Sequence, residues 1–87
     1  MTQQVLVNSG VWTAVSTGKT RGIIENTTGQ NLKVRIEAAG GAAPDDNETW
    51  GHSLPVNKYW TWEKSSSGAD IYVRTESGSG QLIVSEG

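Results

Sequence analysis

The chain has no cysteine, so disulfides and thiolate-based metal or redox sites are excluded. It has a single histidine, His52, which argues against an imidazole metal site. Phenylalanine is absent, and proline occurs only at positions 44 and 55. No apolar run approaches the roughly 20 residues of a membrane-spanning helix. No window of a dozen residues holds helical apolar spacing free of glycine or β-branched clusters, so no helix is predicted. Charge bias is missing as well. Seven basic and nine acidic residues leave a net charge of −2. The basic residues are scattered among acids, without the basic face of a nucleic-acid binder. The first residues, Met1-Thr2-Gln3-Gln4, show no secretory n-region or h-region, and we read no signal peptide.

What remains is a chain of 87 residues, read as one domain over residues 1–87. A chain of this size buries roughly 60–65% of its unfolded surface. Small scaffolds with so thin a core usually need a staple. With disulfides and metals set aside, homo-oligomerisation or docking on a larger body fills that role.

Eleven glycines, many Ser and Thr residues and four tryptophans point to strands and turns. The predicted strands are Gln4–Val7, Val11–Val15, Thr20–Asn26, Asn31–Ala38, a short one within Trp50–Val56, Tyr59–Glu63, Asp70–Thr75 and Gln81–Glu86. Asn31–Ala38 is the clearest. Leu32, Val34 and Ile36 share one face, and Lys33, Arg35 and Glu37 share the other, which implies one buried and one wet face. Ala39–Thr49, with Gly40-Gly41, Pro44 and Asp45-Asp46-Asn47-Glu48, reads as a surface excursion. Pro55 confines the short strand beside it to an edge or an end. Seven to eight short strands at this spacing predict an all-β fold, a small antiparallel sandwich or barrel. The last two runs, joined by Glu76-Ser77-Gly78-Ser79-Gly80, read as a terminal hairpin. In it Ile71, Val73, Leu82 and Val84 are core. Ile83 then falls on the supposedly wet face, which predicts that this face is partly covered.

Several motifs invite a chemical reading. Gly18-Lys19-Thr20 lacks the upstream glycine and following helix of a phosphate-binding loop, and reads as a turn. His52 and Ser53 are adjacent on a strand and point to opposite faces, so they do not form a catalytic pair. Asp45–Glu48 lacks EF-hand spacing and reads as a solvated loop. The sequons at Asn26 and Asn47 read as turn residues. No catalytic, cofactor-binding or metal-binding residue is assigned. Trp60 and Trp62 flank Thr61 and share one face. They fill a core, make a protein interface, or form a sugar-stacking platform to which Trp50 contributes. The candidate interface residues are Val5, Leu6, Val7, Trp50, Trp60, Trp62 and Ile83. Met1–Val7 is expected to add a strand to a partner's sheet edge, so that its deletion would abolish binding and leave the β fold intact.

Four stretches carry a resemblance. They are Val11-Trp12-Thr13-Ala14-Val15; Ile24-Glu25-Asn26-Thr27-Thr28-Gly29; Leu32-Lys33-Val34-Arg35-Ile36 with its Pro/Asp loop; and the ending Ile71–Thr75, glycines, Leu82–Glu86. In this layout the chain resembles small virion-associated β-sandwich proteins of tailed bacteriophages. The resemblance implies a non-enzymatic virion protein made in the host cytoplasm. The type it implies is a capsid decoration (cement) protein, an oligomer on the major capsid protein. The rival expectation is a carbohydrate- or receptor-binding module of a phage tail or fibre. Neither reading involves a cofactor, nucleic acid or a membrane.

Overall fold

A computed structural model describes residues 1–64 and 67–87. Eight strands follow in order: β1 (Thr2–Asn8), β2 (Thr13–Lys19), β3 (Arg21–Glu25), β4 (Leu32–Ala38), β5 (His52–Leu54), β6 (Tyr59–Glu63), β7 (Ala69–Thr75) and β8 (Ser79–Glu86). They build two four-stranded sheets, sheet 1 in the order β1-β8-β3-β6 and sheet 2 in the order β2-β7-β4-β5. Every pairing is antiparallel. This is the all-β sandwich that the strand spacing predicted. Its winding, with strands 1, 8, 3, 6 facing 2, 7, 4, 5, is that of an eight-stranded jelly roll.

Side-chain alternation places one apolar face of each sheet inside. Val7, Ile24, Trp62, Leu82 and Val84 come from sheet 1; Val15, Leu32, Val34, Leu54, Ala69, Ile71 and Val73 come from sheet 2. Each fully buried aliphatic side chain contributes about 1.5–3 kcal/mol relative to exposure. The inward assignment of Ile71, Val73, Leu82 and Val84 holds.

The terminal hairpin does not form. β7 lies between β2 and β4 in sheet 2, whereas β8 lies between β1 and β3 in sheet 1. Both are central strands, so neither has an edge left for the other. Glu76–Gly78 is a corner between sheets, with Gly78 at φ 68° and the Thr75 hydroxyl donating to the Gly78 carbonyl at 2.6 Å. The Glu76 amide donates to the Asn31 carbonyl at 2.9 Å, which ties the corner to the start of β4. A Gly/Ser turn between apolar runs looks the same in sequence whether the chain turns back within a sheet or crosses to the next one. The one sequential pair that shares a sheet is β4–β5, joined across the long irregular stretch.

Strand β2 also differs. It begins at Thr13 and runs to Lys19, with register shifts between Ala14 and Ser16 and between Ser16 and Lys19. Trp12 therefore precedes the strand. Its amide donates to the Asp46 carboxylate at 3.0 Å instead of to a sheet. Of the predicted turn Ser65–Gly68, Ser65 and Ser66 lie outside the described residues.

Candidate functional site

The tryptophans decide where a partner can bind. Trp60 and Trp62 point inward. Trp62 is only 5% exposed, and Trp60 is half-buried against the core, its ring stacked on Trp62 at a centroid distance of 6.0 Å. Gly22, opposite Trp62 in the register, makes room for that ring, since a Cβ there would overlap it. Of the alternatives open at the sequence level, the pair takes the core role and offers no outer platform. Val7 is likewise fully buried, and Val5 packs against the core. Both hold β1 in sheet 1, so deleting residues 1–7 would remove a structural strand and not a free arm. Leu6, by contrast, is 54% exposed.

Trp50 and Trp12 form a separate aromatic cluster on the outer face of sheet 2. The Arg35 guanidinium sits 3.8 Å from the Trp50 ring centre and 5.8 Å from that of Trp12, and the Arg74 guanidinium lies 5.2 Å from the Trp12 ring centre. The result is a ladder Trp50–Arg35–Trp12–Arg74, each step a cation–π contact of about 0.5–2 kcal/mol. Arg35 Nε donates to Glu37 at 2.9 Å and Nη1 to Glu48 at 2.8 Å. Arg74, buried to 6% exposure, donates to the Asp46 and Glu48 carbonyls at 2.9 and 3.3 Å. Trp12 Nε1 also donates to the Glu48 carbonyl, at 2.7 Å. The acidic run is thus a fastener. It straps the 39–51 connection across the face that Lys33, Arg35 and Glu37 were expected to leave wet.

One end of the ladder is open. Trp50 is 62% exposed and borders a cleft of about 400 Å³ lined by Val34, Arg35, Ile36, Glu37, Gly51 and His52. The cleft exists because β5 pairs only with Leu32–Val34, leaving the rest of β4 without a neighbour on that side. Gly51 fits here because a Cβ would press on the Val34 carbonyl, Arg35 and Trp12. His52 faces the Trp60 ring, with the ring centres 6.2 Å apart.

The outer face of sheet 1 is the other exposed feature. Its cross-strand rows are Gln4–Ile83–Glu25–Tyr59 and Thr2–Ser85–Ile23–Thr61. Tyr59, Leu6 and Ile23 are exposed, and Ile83 is half-buried among them. None of the described residues lies over this face, so the cover expected from Ile83 would be another molecule.

Three buried polar residues escaped sequence reasoning. Asn26 is fully buried. Its side-chain amide donates to the Gln30 and Leu54 carbonyls at 2.8 and 2.9 Å, and its carbonyl oxygen accepts from the Thr28 amide and hydroxyl. That sequon is therefore a turn lock and not a presented glycosylation site. Asp70 accepts from the Gly18 and Gly40 amides at 2.9 and 3.0 Å, joining two corners of the sandwich. Ser16 and Glu86 hydrogen-bond across the two sheets. The signal for Asn26 and Asp70 was present only as turn-forming residue types beside glycines. Among the described residues, no cluster of three or more His, Cys, Asp or Glu could hold a metal. Nor is any helix long and apolar enough to cross a membrane.

No family model matches the chain, and no curated protein matches it. Two solved structures share its architecture. One is a de novo designed double-stranded β-helix solved in solution by NMR, with TM-score 0.64 and 17% identity over 100% of this chain and 99% of that one. The other is PirA, a crystal structure, with TM-score 0.65 and 14% identity over 99% of this chain and 93% of that one. At such identities the likeness shows the fold alone.

Proposed function

We propose that this chain is a non-enzymatic structural protein of a virus particle, a capsid decoration protein that docks on the major capsid protein and braces the shell. Its site of action is the virion, after synthesis in the host cytoplasm. The observation that carries the reading is the outer face of sheet 1, which presents Leu6, Ile23, Tyr59 and the half-buried Ile83, with Glu25 among them and the Arg21–Glu63 pair at one end. Such a face is suited to burial against another protein. Docking on a folded shell would also stabilise the thin sandwich, because a ligand that binds only the folded state shifts the folding equilibrium.

Co-sedimentation with capsids of the source particle tests it. The wild-type chain is expected to bind and to raise the temperature at which the shells open. Leu6→Ser, Ile23→Ser and Tyr59→Ser combined should keep the β circular dichroism and lose the binding. Binding that survives all three substitutions would remove this face from the reading. Failure of the wild-type chain to bind any capsid would remove the reading itself.

A second reading, a carbohydrate- or receptor-binding module of a phage tail or fibre, is favoured by the open Trp50 ring braced on Arg35 beside Glu37 and the cleft. A pyranose ring can stack its C–H face on such a platform while its hydroxyls meet the carboxylate. Sugar titration should then quench tryptophan fluorescence, and Trp50→Ala should abolish the response. Fluorescence that no glycan changes would dispose of this alternative.

A further inference from the structure

The sandwich has four edge strands, and three of them are blunted. β5 is three residues long and followed by Pro55; β2 is broken by two register shifts and ends in Lys19; β6 has five residues, ends in Glu63 and is flanked by Lys58 and Lys64. Short length, bulges, charge and proline are the usual protections of a sheet edge. β1 has none of them. It runs seven residues, Thr2–Asn8, without charge or proline, and in unbroken register with β8.

Three hydrogen bonds at the ends of the β1–β8 ladder establish which backbone groups remain open. Met1 and Glu86 exchange both of their bonds, at 3.0 and 2.9 Å, and the Ser9 amide donates to the Gly78 carbonyl at 3.0 Å. In an antiparallel ladder the paired residues alternate. Gln3, Val5 and Val7 therefore face β8, and the N–H and C=O groups of Thr2, Gln4, Leu6 and Asn8 face outward. Their side chains are exposed as well.

We propose that this edge pairs with the same edge of a second copy, antiparallel across a two-fold axis at Val5, making one continuous eight-stranded sheet. The occupant follows from register. Among symmetric alignments, this one alone engages all four open residues, Thr2 with Asn8 of the second copy and Gln4 with Leu6. An alignment shifted by one pairing step engages three. No charged pair arises across the axis, because the strand carries none. A two-fold interface is self-complementary, and one strand supplies both halves of it. On the inner face the two Val5 side chains meet, lengthening the core where Val5 is only half-buried. The pairing is independent of the virion reading and survives its failure.

Sedimentation of the full chain tests the pairing, with an expected mass twice the 9.3 kDa of one chain. Gln4→Pro removes an outward N–H that makes no bond to the described residues. It is expected to halve the mass with circular dichroism unchanged. Val5→Cys places two thiols in a non-hydrogen-bonded pair, close enough for a disulfide, in a chain otherwise free of cysteine. It should oxidise to a covalent dimer on a non-reducing gel. Gln3→Cys should not, since Gln3 sits opposite Val7 of the second copy. A wild-type chain that stays monomeric overturns the proposal, as does a folded Gln4→Pro variant that stays dimeric. A dimer in which Gln3→Cys cross-links and Val5→Cys does not overturns the register.

Discussion

The Arg35 guanidinium lies parallel in role to a mortar layer, 3.8 Å from the centre of the Trp50 ring and within hydrogen-bond reach of Glu37 and Glu48. A residue on the supposedly wet face of β4 thereby fastens the 39–51 connection to the sheet. Its side chain is only 13% exposed, so the contact is shielded from the full screening of water.

Arg35→Lys should lower stability by about 1–2 kcal/mol, and Arg35→Ala by about 2–3 kcal/mol. A lysine cannot bridge two carboxylates while stacking on two rings. Urea midpoints measure the loss, and Trp50 emission should shift red in both variants. A lysine variant as stable as wild type would show that the ladder is decorative.

Asn26→Ala removes the donors to the Gln30 and Leu54 carbonyls at a fully buried position. Each buried group left unpaired costs about 1–3 kcal/mol. The expected loss is therefore about 2–4 kcal/mol in denaturant melts, with little change in the slope of the transition.

Gly22→Ala tests the inward packing of Trp62. The added methyl would overlap the indole and the Ser85 carbonyl, so the ring must move or the strand must shift. Overpacking of this kind typically costs about 1–3 kcal/mol. Near-ultraviolet circular dichroism should change together with the melting temperature.

The pairing of β1 with β8 has its own test. Gln4 and Ile83 are partners across β1 and β8, on the outer face. Gln4→Cys with Ile83→Cys should close spontaneously to an intrachain disulfide. Linking residues so distant in sequence should add about 4 kcal/mol by the chain-entropy estimate. Thiol titration and non-reducing electrophoresis follow the closure. Were β8 not seated beside β1 in this register, that bond would not form.

Much of this was legible in the chain. The alternation of Leu32, Val34 and Ile36 against Lys33, Arg35 and Glu37, and the run Tyr59–Glu63, report a two-residue period. That period is a local property of a strand with one buried face. The all-β class and the inward course of Ile71, Val73, Leu82 and Val84 were determined by it. The absence of cysteine ruled out any staple of sulfur. What the sequence could not determine was pairing. Whether Gly78 turns the chain back or across, whether Trp60 and Trp62 face in or out, and whether Asp46 and Glu48 meet water or Arg35 and Trp12 all depend on residues tens of positions away. Hydrogen-bond partners and burial arise only when strands distant in sequence are brought side by side. For that reason the tertiary structure alone decided which face of β6 is core, which face lies open on sheet 1, and which edge, β1, was left unprotected.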